Sequence, residues 1–177
     1  IRPSKVTEKW QTIVRREDSW RRQLLAIGDT GGTWGIWMGA GIEGRYVEFG
    51  APVNPNAFRD GKWHHVAGTY DGKQMNLYLD GKQVGRKAVD GKLYTQSKEP
   101  MQIGSYQNEP FHGDLNDVRL FRSGLSKLQI GEIADGKQDV AKEEMVGSWK
   151  RDDDVKSELK QPIEIIAHER IRKFLIR

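Results

Sequence analysis

The stretch DGKWHHVAGTYDGKQMNLYLDG, residues 60–81, decides the fold. It contains three Asp-Gly pairs, Asp60-Gly61, Asp71-Gly72 and Asp80-Gly81. Asp tolerates, and Gly freely adopts, the left-handed backbone angles that tight hairpin turns demand. Between the turns the residues alternate. Met75, Leu77 and Leu79 share one face of an extended segment, and Asn76, Tyr78 and Asp80 share the other. Upstream, His64, Val66, Gly68 and Tyr70 alternate with Trp63, His65, Ala67 and Thr69. A further pair, Asp90-Gly91, continues the series at spacings of 11, 9 and 10 residues, each a strand plus a turn. This pattern predicts an antiparallel meander.

Working outward, the same alternation predicts strands at Gln11–Arg16, Arg22–Ile27, Trp34–Met38, Arg45–Phe49, Met101–Tyr106 and Leu115–Phe121. An Asp-Thr-Gly-Gly turn falls at residues 29–32 and a Gly-rich turn at Gly39–Gly44. Many short strands at regular spacing indicate a sandwich or barrel. One short helix is predicted at Ser126–Ala134, capped by Ser126, with Leu128, Ile130 and Ile133 on its apolar side and Gly136 at its end. The chain thus divides into an all-β domain over residues 1–136 and a charged extension over 137–177. Within the extension a strand is expected over 144–150. A helix is expected over 162–176, where Ile163, Ile166, Ala167, Ile171, Phe174 and Leu175 form a stripe behind Pro162.

Composition narrows the function. With 177 residues the chain can bury a core without disulfides, and it has no cysteine to serve as nucleophile, thiolate ligand or bridge. The net charge of +4 comes from mixed signs in both parts, which argues against a nucleic-acid binder relying on counterion release. No stretch reaches the ~20 apolar residues needed to span a bilayer. Ile1-Arg-Pro-Ser opens without a signal-peptide pattern, so the start is expected to be an excised boundary, with neighbouring domains as partners.

Three segments together resemble the bacterial laminin-G-like, concanavalin A-like lectin/glucanase superfamily. They are Asp60 to Gly72, Met75 to Gly81, and Ile103-Gly104 through Phe111-His-Gly-Asp-Leu-Asn-Asp-Val-Arg-Leu-Phe121 to Leu125-Ser126. The resemblance covers about residues 1–136. It implies an antiparallel jelly-roll sandwich and an extracellular or cell-envelope location. Members of that superfamily begin with a strand ending in Trp just before a segment like Arg2-Pro3. That strand is not in this sequence, so either the fold lacks an edge strand or residues 140–150, with Trp149, supply a substitute.

Glucanases on this sandwich use Glu-x-Asp-x-x-Glu, which sets two carboxylates on one strand face about 5 Å apart. That motif is absent, as are Gly-x-Ser-x-Gly and His-Glu-x-x-His. Asp29-Thr-Gly is a single copy and is expected to be a turn. His64 and His65 are adjacent on a strand and so point to opposite faces, which rules out one shared metal ion. A non-catalytic domain is expected.

Related jelly rolls often hold calcium at one sheet rim through several oxygen ligands. By that resemblance, the matching places are Asp18 and Gln107-Asn108-Glu109, making Asp18, Asn108 and Glu109 candidate ligands. The alternative is that these loop residues simply make turns. For a glycan, aromatic rings that stack on pyranose planes are the natural candidates. They are Trp20, Trp34, Trp37, Tyr46 and Tyr106, half of which are expected to be packing. Trp37 alternates with Ile36 and Met38, and one of those parities must face the core. Arg15, Arg16, Arg21 and Arg22 lie beside Trp20 in the sequence and suggest a basic patch for an acidic or sulfated polysaccharide, with Arg21 and Arg22 foremost. The alternative is a polar edge kept soluble by charge. Two functions follow, a carbohydrate-binding module of a larger secreted protein, or an adhesion or interdomain scaffold.

Overall fold

The computed structural model describes residues 1–150 and a strand at 163–165. In chain order the strands are β1 (Arg2–Pro3), β2 (Gln11–Arg16), β3 (Gln23–Thr30), β4 (Thr33–Ile42), β5 (Arg45–Pro52), β6 (Val66–Tyr70), β7 (Gln74–Leu79) and β8 (Lys82–Ala88). They continue with β9 (Met101–Ile103), β10 (Gly113–Asp114), β11 (Val118–Phe121), β12 (Met145–Trp149) and β13 (Ile163–Ile165). The helix α1 spans Lys127–Ala134.

The meander forms as the Asp-Gly spacing predicts, with β6, β7 and β8 pairing antiparallel in a three-stranded sheet. Asp80 and Gly81 both have positive φ (48° and 73°) in the two-residue β7–β8 turn. The other layer is a six-stranded antiparallel sheet in the order β13-β9-β2-β3-β4-β5. Two short ribbons, β1–β10 and β11–β12, flank these layers.

Parity along β4 separates the core from the outer surface. Ile36, Met38, Ala40 and Ile42 face inward onto Met75, Leu77 and Tyr70, and all seven belong to one buried cluster with Ile13, Ile27, Val47 and Ala51. The sheets approach where Gly68 meets Met38, since a Cβ on Gly68 would lie 3.2 Å from the Met38 sulfur. Beside this contact, a cavity of about 560 Å³ between β6, β11 and the inner face of the large sheet is lined by Leu25, Met38, Val66 and Leu120 among others. Outside the small sheet, α1 packs Ile130 into a second cluster with Tyr78, Leu125 and Ala141. A reciprocal capping box between Ser126 and Gln129 opens that helix.

Several boundaries differ from the sequence expectation. The Gly-rich segment at 39–44 is not all turn, because β4 continues to Ile42 and only Glu43 and Gly44 turn, with φ of 46° and 75°. The predicted strand 115–121 starts at Val118, after Asp117 takes a positive φ of 52°. Residues 163–165, expected to begin a helix, pair instead with Met101–Ile103. The free edge of β9 offers a ladder, and the local Ile-Glu-Ile alternation suits it, so sheet pairing overrides the helical periodicity. The rest of the segment 162–176 lies outside the described residues.

Candidate functional site

The outward face of the six-stranded sheet carries most of the chemistry. Register fixes its members: Trp37 sits opposite Gly50, Gly39 opposite Glu48, Gly41 opposite Tyr46, and Arg15 opposite Leu24 and Gln102. Glycines on this face make room for flat rings. A Cβ on Gly50 would fall 2.5 Å from the Trp37 ring, and one on Gly39 would fall 2.1 Å from the Tyr46 hydroxyl. Each ring therefore lies across the neighbouring strand where a side chain would stand. The backbone of Lys9–Trp10 crosses over Gly28, and that of Trp20–Arg21 crosses over Gly41, both at 2.8 Å from a built Cβ. Along the strands these two crossings flank the Trp37 and Tyr46 rings, and we call the stretch of sheet between them the trough.

Hydrogen bonds hold the rings. The Trp37 indole N–H donates to the Gly28 carbonyl at 3.0 Å, and Trp10 packs on Trp37 at a centroid distance of 5.7 Å. The Tyr46 hydroxyl donates to Glu48 Oε2 at 2.6 Å. Burial and then the Glu48 carboxylate push the Tyr46 phenol well above its ordinary range, so it stays protonated as a donor.

A chain of opposite charges crosses the same face. Glu109 Oε2 accepts from Arg15 Nη1 at 2.5 Å, Arg15 Nε donates to Glu17 Oε2 at 2.9 Å, and Glu17 Oε1 accepts from Arg22 Nε at 2.6 Å. Arg22 in turn lies 4.8 Å over the Tyr46 ring, and Arg15 lies 4.0 Å over the Tyr106 ring. Burial opposes the Arg22 charge, but Glu17 and Tyr46 outweigh it and raise its pKa. Lys87 donates to the Glu48 carbonyl from the neighbouring strand β8. Every guanidinium on the face is thus matched to a carboxylate.

Of the candidates named from sequence, Trp37, Tyr46, Tyr106, Arg22 and Glu109 come together here. Trp20, Arg21 and Asp18 form a separate cluster at the rim. There Arg21 Nη2 bridges to Asp18 at 2.8 Å, its Nη1 bonds the Tyr94 hydroxyl, and Trp20 meets Tyr94 edge-on. Trp34 is on the opposite parity of β4 from Trp37, packs at 5.4 Å on Phe58, and donates to the Thr7 carbonyl. The four arginines do not form one basic patch. Strand alternation sends Arg15 outward and Arg16 inward, where Arg16 is 6 % exposed with Nε and Nη2 unpartnered. Burial lowers the Arg16 pKa to about 10.

The two carboxylates matched to a calcium rim are both held by arginines, Asp18 by Arg21 and Glu109 by Arg15. Among the described residues no three His, Asp or Glu side chains gather in a metal-holding group. Sequence reasoning missed Trp10, Glu17 and Glu48. It also missed the role of Gly39 and Gly50, although the run Gly35-x-Trp37-x-Gly39-x-Gly41 against Ile36-x-Met38-x-Ala40-x-Ile42 carries the signal.

A two-layer antiparallel sandwich of this topology is, by class, a concanavalin A-like domain. The chain belongs to the laminin G type family described as the Concanavalin A-like lectin/glucanases superfamily, whose profile matches residues 1–131. It is 33% identical over 87 residues to the Adhesion G-protein coupled receptor V1 of Danio rerio, a match covering 47% of this chain and 1% of the receptor. It is 32% identical over 79 residues to Pappalysin-1 of Mus musculus, covering 42% of this chain and 5% of that protein. The chain therefore spans only a small part of these curated relatives. A solved structure of a proposed carbohydrate-binding protein from Bacteroides ovatus superposes with a TM-score of 0.61 at 22% identity. That match covers 84% of this chain and 42% of the other, and it shows the shared fold. No helix among the described residues is long and apolar enough to cross a membrane.

Proposed function

We propose that this domain is a non-catalytic carbohydrate-binding module of a larger secreted or cell-envelope protein, and that the trough on the outer face of the six-stranded sheet is its binding surface. The observation that carries this reading is the pair of rings, Trp37 over Gly50 and Tyr46 over Gly39, laid flat across neighbouring strands. A flat ring on a rigid sheet offers a pyranose an apolar platform that loses little side-chain freedom on binding. Carboxylates at its margin supply acceptors for hydroxyl groups. The family and the fold of the Bacteroides ovatus protein agree with a lectin-like role.

The test is affinity electrophoresis through gels containing a panel of polysaccharides, wild type against Trp37→Ala and Trp34→Ala. Retardation lost in Trp37→Ala but kept in a folded Trp34→Ala supports the trough, because Trp34 lies on the opposite face of the same strand. Equal loss in both variants, or no retardation of the wild type by any polymer, would overturn it and favour a scaffold role.

A further inference from the structure

We infer that the trough is built for an uncharged glycan and excludes acidic and sulfated ones. This rests on the carbohydrate-binding reading above and specifies its ligand class. An acidic or sulfated polysaccharide needs cations with free donors, and strongest of all a guanidinium presenting its fork to the anion. Among the described residues the outer face has two arginines, both already paired with carboxylates, and Lys87 at its edge donates to the Glu48 carbonyl. Arg15 spends Nε on Glu17 and Nη1 on Glu109, and it is only 10% exposed. Arg22 places Nε and Nη2 on Glu17 and its plane over Tyr46.

The remaining arginines of the 15–22 segment do not help. Arg16 faces the interior, and Arg21 is held at the rim by Asp18 and Tyr94. A sulfate or uronate approaching the trough would meet Glu17 and Glu109 beside the arginines they pair with, and Glu48 beside Tyr46. To bind, it would have to break an existing ion pair and leave a carboxylate uncompensated beside it. Like charges juxtaposed in a partly desolvated site oppose binding by several-fold or more.

A neutral sugar faces no such penalty. Its ring can stack on Trp37, whereas the Tyr46 ring already carries the Arg22 guanidinium. Its hydroxyls can donate to the carboxylate lone pairs the arginines leave open, since each carboxylate can accept about four hydrogen bonds. The two rings sit two positions apart along β4, about 7 Å at the usual strand rise. A glycan chain running along the strands can therefore touch both. Charge balance acts as the selectivity element and the rings supply the contact.

Matched polymer pairs with one backbone test this directly: dextran against dextran sulfate, and hydroxyethylcellulose against carboxymethylcellulose, in native affinity gels at low ionic strength. The expected result is retardation by at least one neutral polymer and none by its charged partner. Trp37→Ala should weaken the neutral interaction at least tenfold, while Trp37→Phe should keep part of it.

The double variant Glu17→Gln/Glu109→Gln releases Arg15 and Arg22, and it should acquire salt-sensitive retardation in dextran sulfate. Circular dichroism establishes that each variant folds. Wild-type protein retarded by the charged member alone would overturn the neutral-ligand inference and leave carbohydrate binding standing. Failure of the folded double variant to gain dextran sulfate binding would also overturn it. No retardation by any polymer would sink the carbohydrate-binding reading itself.

Discussion

Replacing Gly39 by alanine should damage the trough at a point where no ligand or charged group is altered. The new methyl would sit 2.1 Å from the Tyr46 hydroxyl and within 2.8 Å of two further ring atoms, so the ring must leave the sheet. Lifting a large, mostly covered aromatic side chain into water costs about 1.5–3 kcal/mol. Loss of the hydroxyl bond to the Glu48 carboxylate adds about 1.5–3 kcal/mol. Against this, alanine is better than glycine in a strand by about 0.5–1 kcal/mol. The net expectation is a loss of about 2–5.5 kcal/mol, or a fall in Tm of about 4–22 °C for a chain of this size.

Urea unfolding followed by tryptophan fluorescence measures the first quantity and calorimetry the second. The decisive comparison is the same substitution in a Tyr46→Ala background. With the ring already gone, Gly39→Ala should be neutral or stabilise by up to about 1 kcal/mol, giving a coupling close to the whole single-mutant loss. Equal costs in the two backgrounds would refute the idea that Gly39 exists to seat Tyr46.

Arg16→Met should stabilise the protein by about 1–2 kcal/mol in chemical denaturation, because it removes a buried cation with unpartnered Nε and Nη2 and keeps the side-chain volume. A loss of stability would mean that Arg16 has a partner function. His64 lies between Asp80 Oδ2 and Asp60 Oδ1, each at 3.0 Å. Burial works against its charge, but the two carboxylates outweigh this and raise its pKa. The stabilisation from the charged form is therefore full below the unfolded value of about 6.5 and fades as pH rises through the folded value. The gap in Tm between wild type and His64→Gln should shrink from pH 6 to pH 9, and a gap independent of pH would contradict the bridge. Calcium would have to displace Arg21 from Asp18 and Arg15 from Glu109. Millimolar calcium or chelator should therefore leave the melting temperature unchanged, and a calcium-dependent rise lost in Asp18→Ala would establish a rim site after all.

The sheet architecture was legible because its signals are local. The Asp71-Gly72 and Asp80-Gly81 turns and the Met75, Leu77, Leu79 alternation specify β6, β7 and β8 without reference to distant residues. The trough was only half legible, because it depends on which side of a strand is covered, and alternation by itself is symmetric. The composition of the two parities of β4 breaks that symmetry. Ile36, Met38, Ala40 and Ile42 can fill a core, whereas Gly35, Gly39 and Gly41 bring no side chains to one. Trp37 lies on the glycine side and must therefore be a surface ring.

The arginines show the opposite limit. Four basic residues within eight positions look like a patch, yet a strand sends neighbours to opposite faces, and partners from elsewhere decide what charge remains. Glu109 reaches Arg15 across 94 positions of sequence. No local pattern could announce that pairing, and it is this contact, together with Glu17, that turns an apparent anion site into a balanced surface. In the proposed reading, selectivity follows from long-range pairing, while the platform for binding follows from short-range glycine placement. The two can be altered separately: Gly39 and Gly50 govern whether the rings lie flat, and Glu17 and Glu109 govern which charge the ligand is allowed to carry.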